Sequence, residues 1–376
     1  MKSMTHAKKL VSVICTFAMI LSICAVTPKT AAADGTVTPD LAITSGFTDT
    51  MHAVTLAASQ GASDVTALTL NQPGVLWITA SSTGLTSTVQ MSLYSDAACV
   101  QEIGSYLYLN SSYPSDSREF TIPAAGTYYL KTYYSSFSST TTAPVTINYI
   151  ATAFSGEDKT LDAEVPVITY TNTNDTVYHK ITLKKDSVVL VMGMSIDLNY
   201  SSAYYGITVS LYNAKKQQIG NSTYLYDGNS YSSYYVLKKG TYYVGCSEDS
   251  LYQLIYSSLN AKTSKAGASK AKAVTLKKNK KITNAMFTGQ KATHWYKIKL
   301  TKSAKLSVST SGIGNDSSYY KMEIMPASGT TSILVNADGS SDGLRSNKKL
   351  SAGTYYVKIS KPNKADGIYY TLKAKY

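Results

Sequence analysis

The residues of this chain best suited to meet a ligand are aromatic and cationic. Tyrosine takes 32 positions, against 6 phenylalanines and 2 tryptophans. Hydroxylated rings thus stand where apolar ones would ordinarily fill a core, and every buried hydroxyl needs a partner. Three stretches set tyrosine among serine, glycine and asparagine: 105–115 with Tyr106, 199–205 with Tyr204 and Tyr205, and 224–235 with Tyr231 and Tyr234. Rigid amphipathic rings spaced by adaptable hydrogen-bonders have the composition of a paratope, and the same mixture suits stacking on sugar rings. These stretches read as loops. Trp295 alternates with Tyr296, Ile298 and Leu300, so it shares a strand face with Lys297 and Lys299. An outward indole beside two ammonium groups would present to an anionic sugar or wall polymer. Packing of that indole against the linker or a neighbouring sheet is the plainer alternative. Tyr129, Tyr243 and Tyr356 read as cover for outer sheet faces through cross-strand pairs.

The catalytic inventory is thin by comparison. Beyond an expected leader the histidines are His52, His179 and His294, and none falls in a metal-binding spacing. There is no Gly-x-Ser-x-Gly elbow and no phosphate-cradling loop. Glu157-Asp158 and Glu248-Asp249 are adjacent carboxylates, and adjacent side chains on a strand or turn diverge. His179 and His294 open the corresponding strand in two repeats, which argues for a structural role. Asp338 and Asp342 stand in a glycine-rich turn without EF-hand spacing; they read first as a loop and second as calcium ligands. The expectation is a chain without catalytic activity and without a cofactor, calcium being the one candidate.

What must position these residues is a repeat. Ala125-Gly126-Thr127-Tyr128-Tyr129, Lys239-Gly240-Thr241-Tyr242-Tyr243 and Ala352-Gly353-Thr354-Tyr355-Tyr356 say one phrase three times, a domain's length apart. Short alternating runs rich in tyrosine and threonine, with Gly/Asn/Ser turns and no helical period, predict an all-β chain. Its architecture is three tandem antiparallel β-sandwich modules of jelly-roll or Ig-like size after a cleaved signal peptide. The expected boundaries are 1–33 signal peptide, 34–153 module one, 154–260 module two, 261–271 a basic flexible linker, and 272–376 a lysine-rich module three. Within the phrase strand, Tyr355, Val357 and Ile359 form the core face, opposite Tyr356, Lys358 and Ser360.

The leader expectation rests on Lys2, Lys8 and Lys9 ahead of an apolar stretch from Leu10 to Val26 and a small-residue site at Ala31-Ala32-Ala33. It predicts a bacterial protein that is secreted, extracellular or cell-wall associated, with no transmembrane segment. Cys99 and Cys246 fall in different modules; Cys246 shares the face of Val244 and Tyr242 and reads as a buried small hydrophobe. Charge is distributed unevenly. Residues 34–150 carry 2 basic and 8 acidic side chains, 151–260 carry 8 and 10, and 261–376 carry 22 and 5. Such imbalance bears on partners, not fold.

Trp295-Tyr296-Lys297-Ile298 opening a strand, the hairpin Ser210-Leu211-Tyr212-Asn213, and Ala-Gly-Thr-Tyr-Tyr-Val before Tyr370-Thr371-Leu372 resemble the bacterial pre-peptidase C-terminal domain family. The resemblance covers most of residues 50–376, best in the third copy and least in the first. It implies accessory β-sandwich modules of a secreted protein with a non-catalytic role. Taken together, these readings predict adhesion or cell-envelope polymer binding, through tyrosine-rich loops and a basic C-terminal module. A carbohydrate-binding module array accessory to a secreted hydrolase is the alternative, and an unrecognised hydrolase a second. The expected partners are cell-wall or other anionic polymers, glycans, or proteins, with no specific nucleic acid.

Overall fold

The structure is a computed structural model that describes residues 38–43, 51–156, 158–171, 175–196, 206–226, 230–248, 250–313, 320–336 and 343–376. The expected signal peptide lies outside them. Every regular element among the described residues is a strand, as the period-two runs predict. No helix there is long and apolar enough to cross a membrane. The chain divides into two compact units, Met1–Glu157 with Ile168–Asn172 and Ile196–Tyr204, and Asp158–Val167 with Thr173–Ser195 and Tyr205–Tyr376.

The first unit holds β1 (Thr38–Ile43), β2 (Met51–Leu56), β3 (Ser63–Leu70), β4 (Gly74–Ser81), β5 (Thr88–Tyr94), β6 (Glu102–Leu109), β7 (Ser115–Ile122), β8 (Gly126–Ser136) and β9 (Val145–Ser155). One sheet runs β1-β3-β8-β5-β6, the other β2-β9-β4-β7. Their inner faces close on Leu68, Ile78, Met91, Leu93, Phe120 and Leu130, all excluded from solvent. β10 (Val167–Thr171) adds to this unit the hydroxyl of Thr169, which donates to the Ser155 carbonyl.

The second unit holds two more sandwiches. The first has β11 (Val177–Leu183), β12 (Ser187–Ile196), β13 (Gly206–Asn213), β14 (Thr223–Tyr226), β15 (Ser230–Leu237), β16 (Gly240–Ser247) and β17 (Ser250–Asn260). The second has β18 (Val274–Thr275), β19 (Lys281–Met286), β20 (Thr293–Leu300), β21 (Ser307–Ile313), β22 (Lys321–Pro326), β23 (Leu334–Asn336), β24 (Gly343–Arg345), β25 (Gly353–Ser360) and β26 (Ile368–Lys375). The orders repeat. β3-β8-β5-β6 becomes β11-β16-β13-β14 and then β20-β25-β22-β23, while β9-β4-β7 becomes β17-β12-β15 and then β26-β21-β24. Each copy encloses its own apolar cluster. The all-β tandem sandwich is therefore the fold.

The repeated phrase has a mechanical meaning. Gly240 and Gly353 enter their strands at φ of 150° and 154°, a region that favours glycine. The first tyrosine then turns inward and ties back to the turn. Tyr128 donates to the Ala124 carbonyl at 2.7 Å and Tyr355 to the Ser351 carbonyl at 3.0 Å; Tyr242 bonds the backbone of Lys238. Tyr355→Phe should remove one such bond at a cost of about 1 kcal/mol. A lowered urea midpoint at unchanged slope would report it.

Segment 261–271 is not a flexible linker. Ala261 N–H donates to the Asp186 carbonyl at 2.8 Å, Ser264 N–H to Thr283 at 2.7 Å, and Gly267 exchanges two backbone bonds with Trp295 at 3.1 and 2.9 Å. A Cβ on Gly267 would lie 2.4 Å from the Lys272 carbonyl oxygen. Small residues here let one backbone lie close on another. A flexible tether would have the same composition, which is why sequence misreads the segment. Modules two and three are joined through it and through direct contacts. Thr288 N–H donates to the Val236 carbonyl at 2.8 Å, and Val188, Val236, Ala261 and Ala285 form an apolar cluster with Tyr234, Phe287 and Tyr369 packed on it.

Candidate functional site

In all three sandwiches the outer face of the sheet that carries the repeated phrase presents aromatic rings with ammonium groups over them. Alternation dictates this: on β8, Tyr128, Leu130 and Tyr134 point in, so Tyr129, Lys131 and Tyr133 point out. In the first unit Gln90 of β5 pairs across strands with Tyr108 of β6 on one side and Tyr133 of β8 on the other. Its amide donates to the Ser92 hydroxyl at 3.1 Å. Lys131 Nζ lies 5.4 Å from the Tyr133 ring centre. Tyr106 and Tyr108 are exposed along the edge strand, and Tyr113 stands 66% exposed at the turn beyond it. Arg118 Nε fixes that edge by donating to the Tyr106 carbonyl at 3.0 Å.

The second module gathers three rings. Tyr178 meets Tyr212 edge-on at 5.2 Å and Tyr243 at 6.2 Å. Lys216 Nζ sits 4.0 Å from the Tyr178 ring centre and 5.6 Å from that of Tyr243, and pairs with Asp158 Oδ2 at 3.1 Å. Gly245 makes room for this, since a Cβ there would lie 2.5 Å from a Tyr212 ring carbon. In the third module Trp295, Lys358 and Glu323 are cross-strand neighbours in one row. Lys358 Nζ lies 5.9 Å from the indole and 2.9 Å from Glu323 Oε2; Lys321 reaches Oε1 at 3.2 Å. Burial pushes the Glu323 carboxyl up, but bonds from Lys358, Lys321 and Ser332 outweigh it and hold the group below its ordinary range. Lys270 Nζ lies 5.1 Å from the Tyr356 ring centre.

The histidines serve a different purpose. Each lies against a buried tyrosine on its own module's closing strand. The His52 and Tyr149 rings are 5.4 Å apart, His179 Nε2 is 2.8 Å from the Tyr252 hydroxyl, and His294 Nδ1 is 2.6 Å from that of Tyr370. Tyr370 also bonds Tyr296 at 2.7 Å, and Asn284 Nδ2 donates to Tyr296 at 3.2 Å. Burial drives His179 and His294 down to about 4, Lys159 adding to the effect at His179. Burial pushes Tyr149 up to about 12. The strands correspond, but the histidine positions do not. Leu70, Leu183 and Leu300 each pair with a phrase glycine, which aligns Thr66, His179 and Tyr296, while His294 aligns with Val177.

The structure sorts the expected ligand contacts. Tyr106 is exposed, Lys297 and Lys299 are exposed beside half-buried Trp295, and all three of these last lie on the face deduced for them. Tyr231 is a correction: it is buried on β15 with its hydroxyl 2.7 Å from that of Tyr235. Tyr234 is another, since it packs on the cluster that joins modules two and three. Tyr204, Tyr205, Asp338 and Asp342 lie outside the described residues. Two of the three supposed loops contain strands, because β6 carries Tyr106 and β15 carries Tyr231 and Tyr234. The sequence reading missed Tyr108, Tyr133, Tyr178, Lys131 and Lys216. Tyr133 and Lys131 follow by counting twos along the phrase strand, Tyr178 along its partner β11, and Tyr108 from Tyr106 on β6; Lys216 sits in a turn and gives no such signal. Cys246 is buried against Tyr252, and neither it nor Cys99 forms a disulfide. Among the described residues no group of three His, Cys, Asp or Glu is placed to hold a metal.

No family model and no curated protein matches this chain. Among solved structures, tripeptidyl peptidase 2 is similar at a TM-score of 0.24 and 9% identity, over 81% of this chain and 30% of that one. The CBM22-1–CBM22-2 tandem of Xyn10C from Paenibacillus barcinonensis gives 0.19 and 9%, over 57% and 93%. The tandem CBM51 modules of a family 98 glycoside hydrolase from Streptococcus pneumoniae give 0.20 and 8%, over 55% and 83%. This chain thus spans under a third of the first, and at such scores none of the three bears on function.

Proposed function

We propose that this is a secreted, non-catalytic protein that binds polymers of the bacterial cell envelope, its ring-and-ammonium sheet faces supplying the contacts. One observation carries this reading: an ammonium lies over an aromatic ring on the same sheet face in each of the three sandwiches. Rings offer an apolar platform for a sugar face, and the ammonium and amide groups beside them suit hydroxyls and anionic substituents. Export is supported by the leader-like first 33 residues, and anchoring on anionic material by the 22 basic against 5 acidic side chains of residues 261–376. Kinship with pre-peptidase C-terminal modules belongs to the same proposal, supported by the quoted motifs and the sandwich that such kinship implies. A glycan-binding array serving a separate hydrolase is the second reading. It is favoured by the Tyr108–Gln90–Tyr133 row, which has the groups to stack and to hydrogen-bond without net charge.

The test is retention of residues 34–376 on purified cell walls and insoluble polysaccharides at low and high salt. Tyr108→Ala with Tyr133→Ala should weaken the salt-resistant part about tenfold, the equivalent of roughly 1.4 kcal/mol. Unchanged retention by that variant would remove the ring face from the account. Retention that disappears wholly in high salt would leave charge as the only contact.

A further inference from the structure

We infer that the outer face of the sheet β19-β26-β21-β24 in the third module is a docking face for a linear phosphodiester polymer. This rests on the reading of that module as the anionic-polymer anchor, and it assigns the anchor to a surface other than the ring face. Along β26, Tyr370, Leu372 and Ala374 point into the core, which sends Thr371, Lys373 and Lys375 outward. The register completes two rows. Lys375 pairs with Ser307, which pairs with Arg345 on its other side; Lys373 pairs with Ser309 on one side and with Lys281 on the other. A third row holds Thr283, Thr371 and Ser311. The turn before β19 adds exposed Lys277, Lys278 and Lys280, and Asn279 N–H ties it to the Ala374 carbonyl at 2.8 Å.

This arrangement works against the fold. Lys281 stands directly opposite Lys373 with Lys375 two residues on, and like charges facing each other across a sheet are destabilising. The same module treats lysine differently elsewhere: on the ring face Lys321 and Lys358 share Glu323. Among the described residues, Lys281, Lys373, Lys375 and Arg345 enter no ion pair. The side-chain carboxylates described in this module, Glu323 and Asp366, are on β22 and in the turn before β26. A bound polyanion would offset the repulsion. Strands about 4.8 Å apart and outward residues about 7 Å apart along each strand make a flat grid of single positive charges. A linear polymer with one charge per repeat can track such a grid. Serine and threonine hydroxyls lie between the cations, so one phosphodiester group can meet an ammonium and a hydroxyl with its two free oxygens.

The probe is a poly(glycerol phosphate) chain, titrated against the full mature protein over a range of salt. Wild type should bind with a log affinity that falls linearly with log salt, as counterions are released. Lys281→Gln with Lys373→Gln and Lys375→Gln should bind at least about tenfold more weakly at low salt, with a slope smaller by about 2. A second triple, Lys291→Gln with Lys302→Gln and Lys364→Gln, removes equal charge elsewhere in the module and should bind within about twofold of wild type. Equal losses in the two triples would overturn the docking face while leaving a diffuse electrostatic anchor. Equal affinity for anionic lipid vesicles would replace the polymer with a membrane surface. Failure of wild type to bind the polymer would sink both this assignment and the anchor beneath it.

Discussion

Gly74→Ala should destabilise the first unit by about 3 kcal/mol or more, the upper range for a single substitution. Gly74 opens β4 beside the end of β9, and a Cβ there would lie 2.1 Å from the Phe154 carbonyl oxygen and 3.1 Å from its carbon. The obstruction is backbone on both sides, so no rotamer change relieves it. Relief requires β4 and β9 to part, and the next pairs along the ladder are Val75 with Phe154 and Leu76 with Ala153. Val75 and Leu76 are in the core, so separation admits water where apolar surface is packed. Gly61→Ala isolates the mechanism. Gly61 has φ of 83° with nothing within 4 Å of a Cβ, so only the left-handed backbone is penalised, at about 1 kcal/mol. Thermal unfolding of the two variants should rank them clearly. A Gly74→Ala chain as stable as Gly61→Ala would mean that the ladder end yields without cost to the core.

The same contrast between backbone and side chain explains which parts of the molecule were legible in the sequence. Alternation is a local property, so the phrase strand announces its inner face through Tyr355, Val357 and Ile359, and all three are buried. Three recurrences of that strand suffice to predict three sandwiches. Tyr231 was misjudged because serine and tyrosine alternate around it as they would in a loop, whereas its hydroxyl is satisfied by Tyr235 inside the core. Polarity alone cannot distinguish an exposed hydroxyl from a buried and partnered one. The segment 261–271 failed for a related reason, since alanine, glycine and serine permit both freedom and close approach. The ring faces were half legible. Tyr129, Tyr243 and Tyr356 are placed outward by their spacing, and Lys131 follows on the same strand, but Lys358 covers a ring on another strand and Lys216 and Lys270 lie outside strands, and register between strands is not written locally.

Lowering the pH from about 6.5 towards 4.5 should cost the second unit roughly 2 to 3 kcal/mol through His179 alone. His179 is fully buried on β11, with Nε2 against the Tyr252 hydroxyl and Nδ1 without a partner. Desolvation, with Lys159 assisting, takes it from an ordinary 6.5 down to about 4. Above 6.5 the imidazole is neutral folded and unfolded, and the stability from its buried neutral form is complete. Between 6.5 and 4 only the unfolded chain takes up the proton, so stability drains as pH falls through that window. His294 shifts in the same direction, but its partial exposure makes its share smaller. The Glu323 carboxyl is held low and releases its contribution only below the ordinary carboxylate range, while Asp366, pushed up by burial, works in the opposite direction to the histidines. Urea unfolding followed by Trp295 fluorescence, in a Trp77→Phe chain, reads this unit. His179→Asn should be less stable than its parent near pH 7, because the Tyr252 hydroxyl loses one of its partners and a cavity opens. Its midpoint should then change less between pH 6.5 and 4.5. Parallel curves for variant and parent would show that His179 does not carry the acid sensitivity.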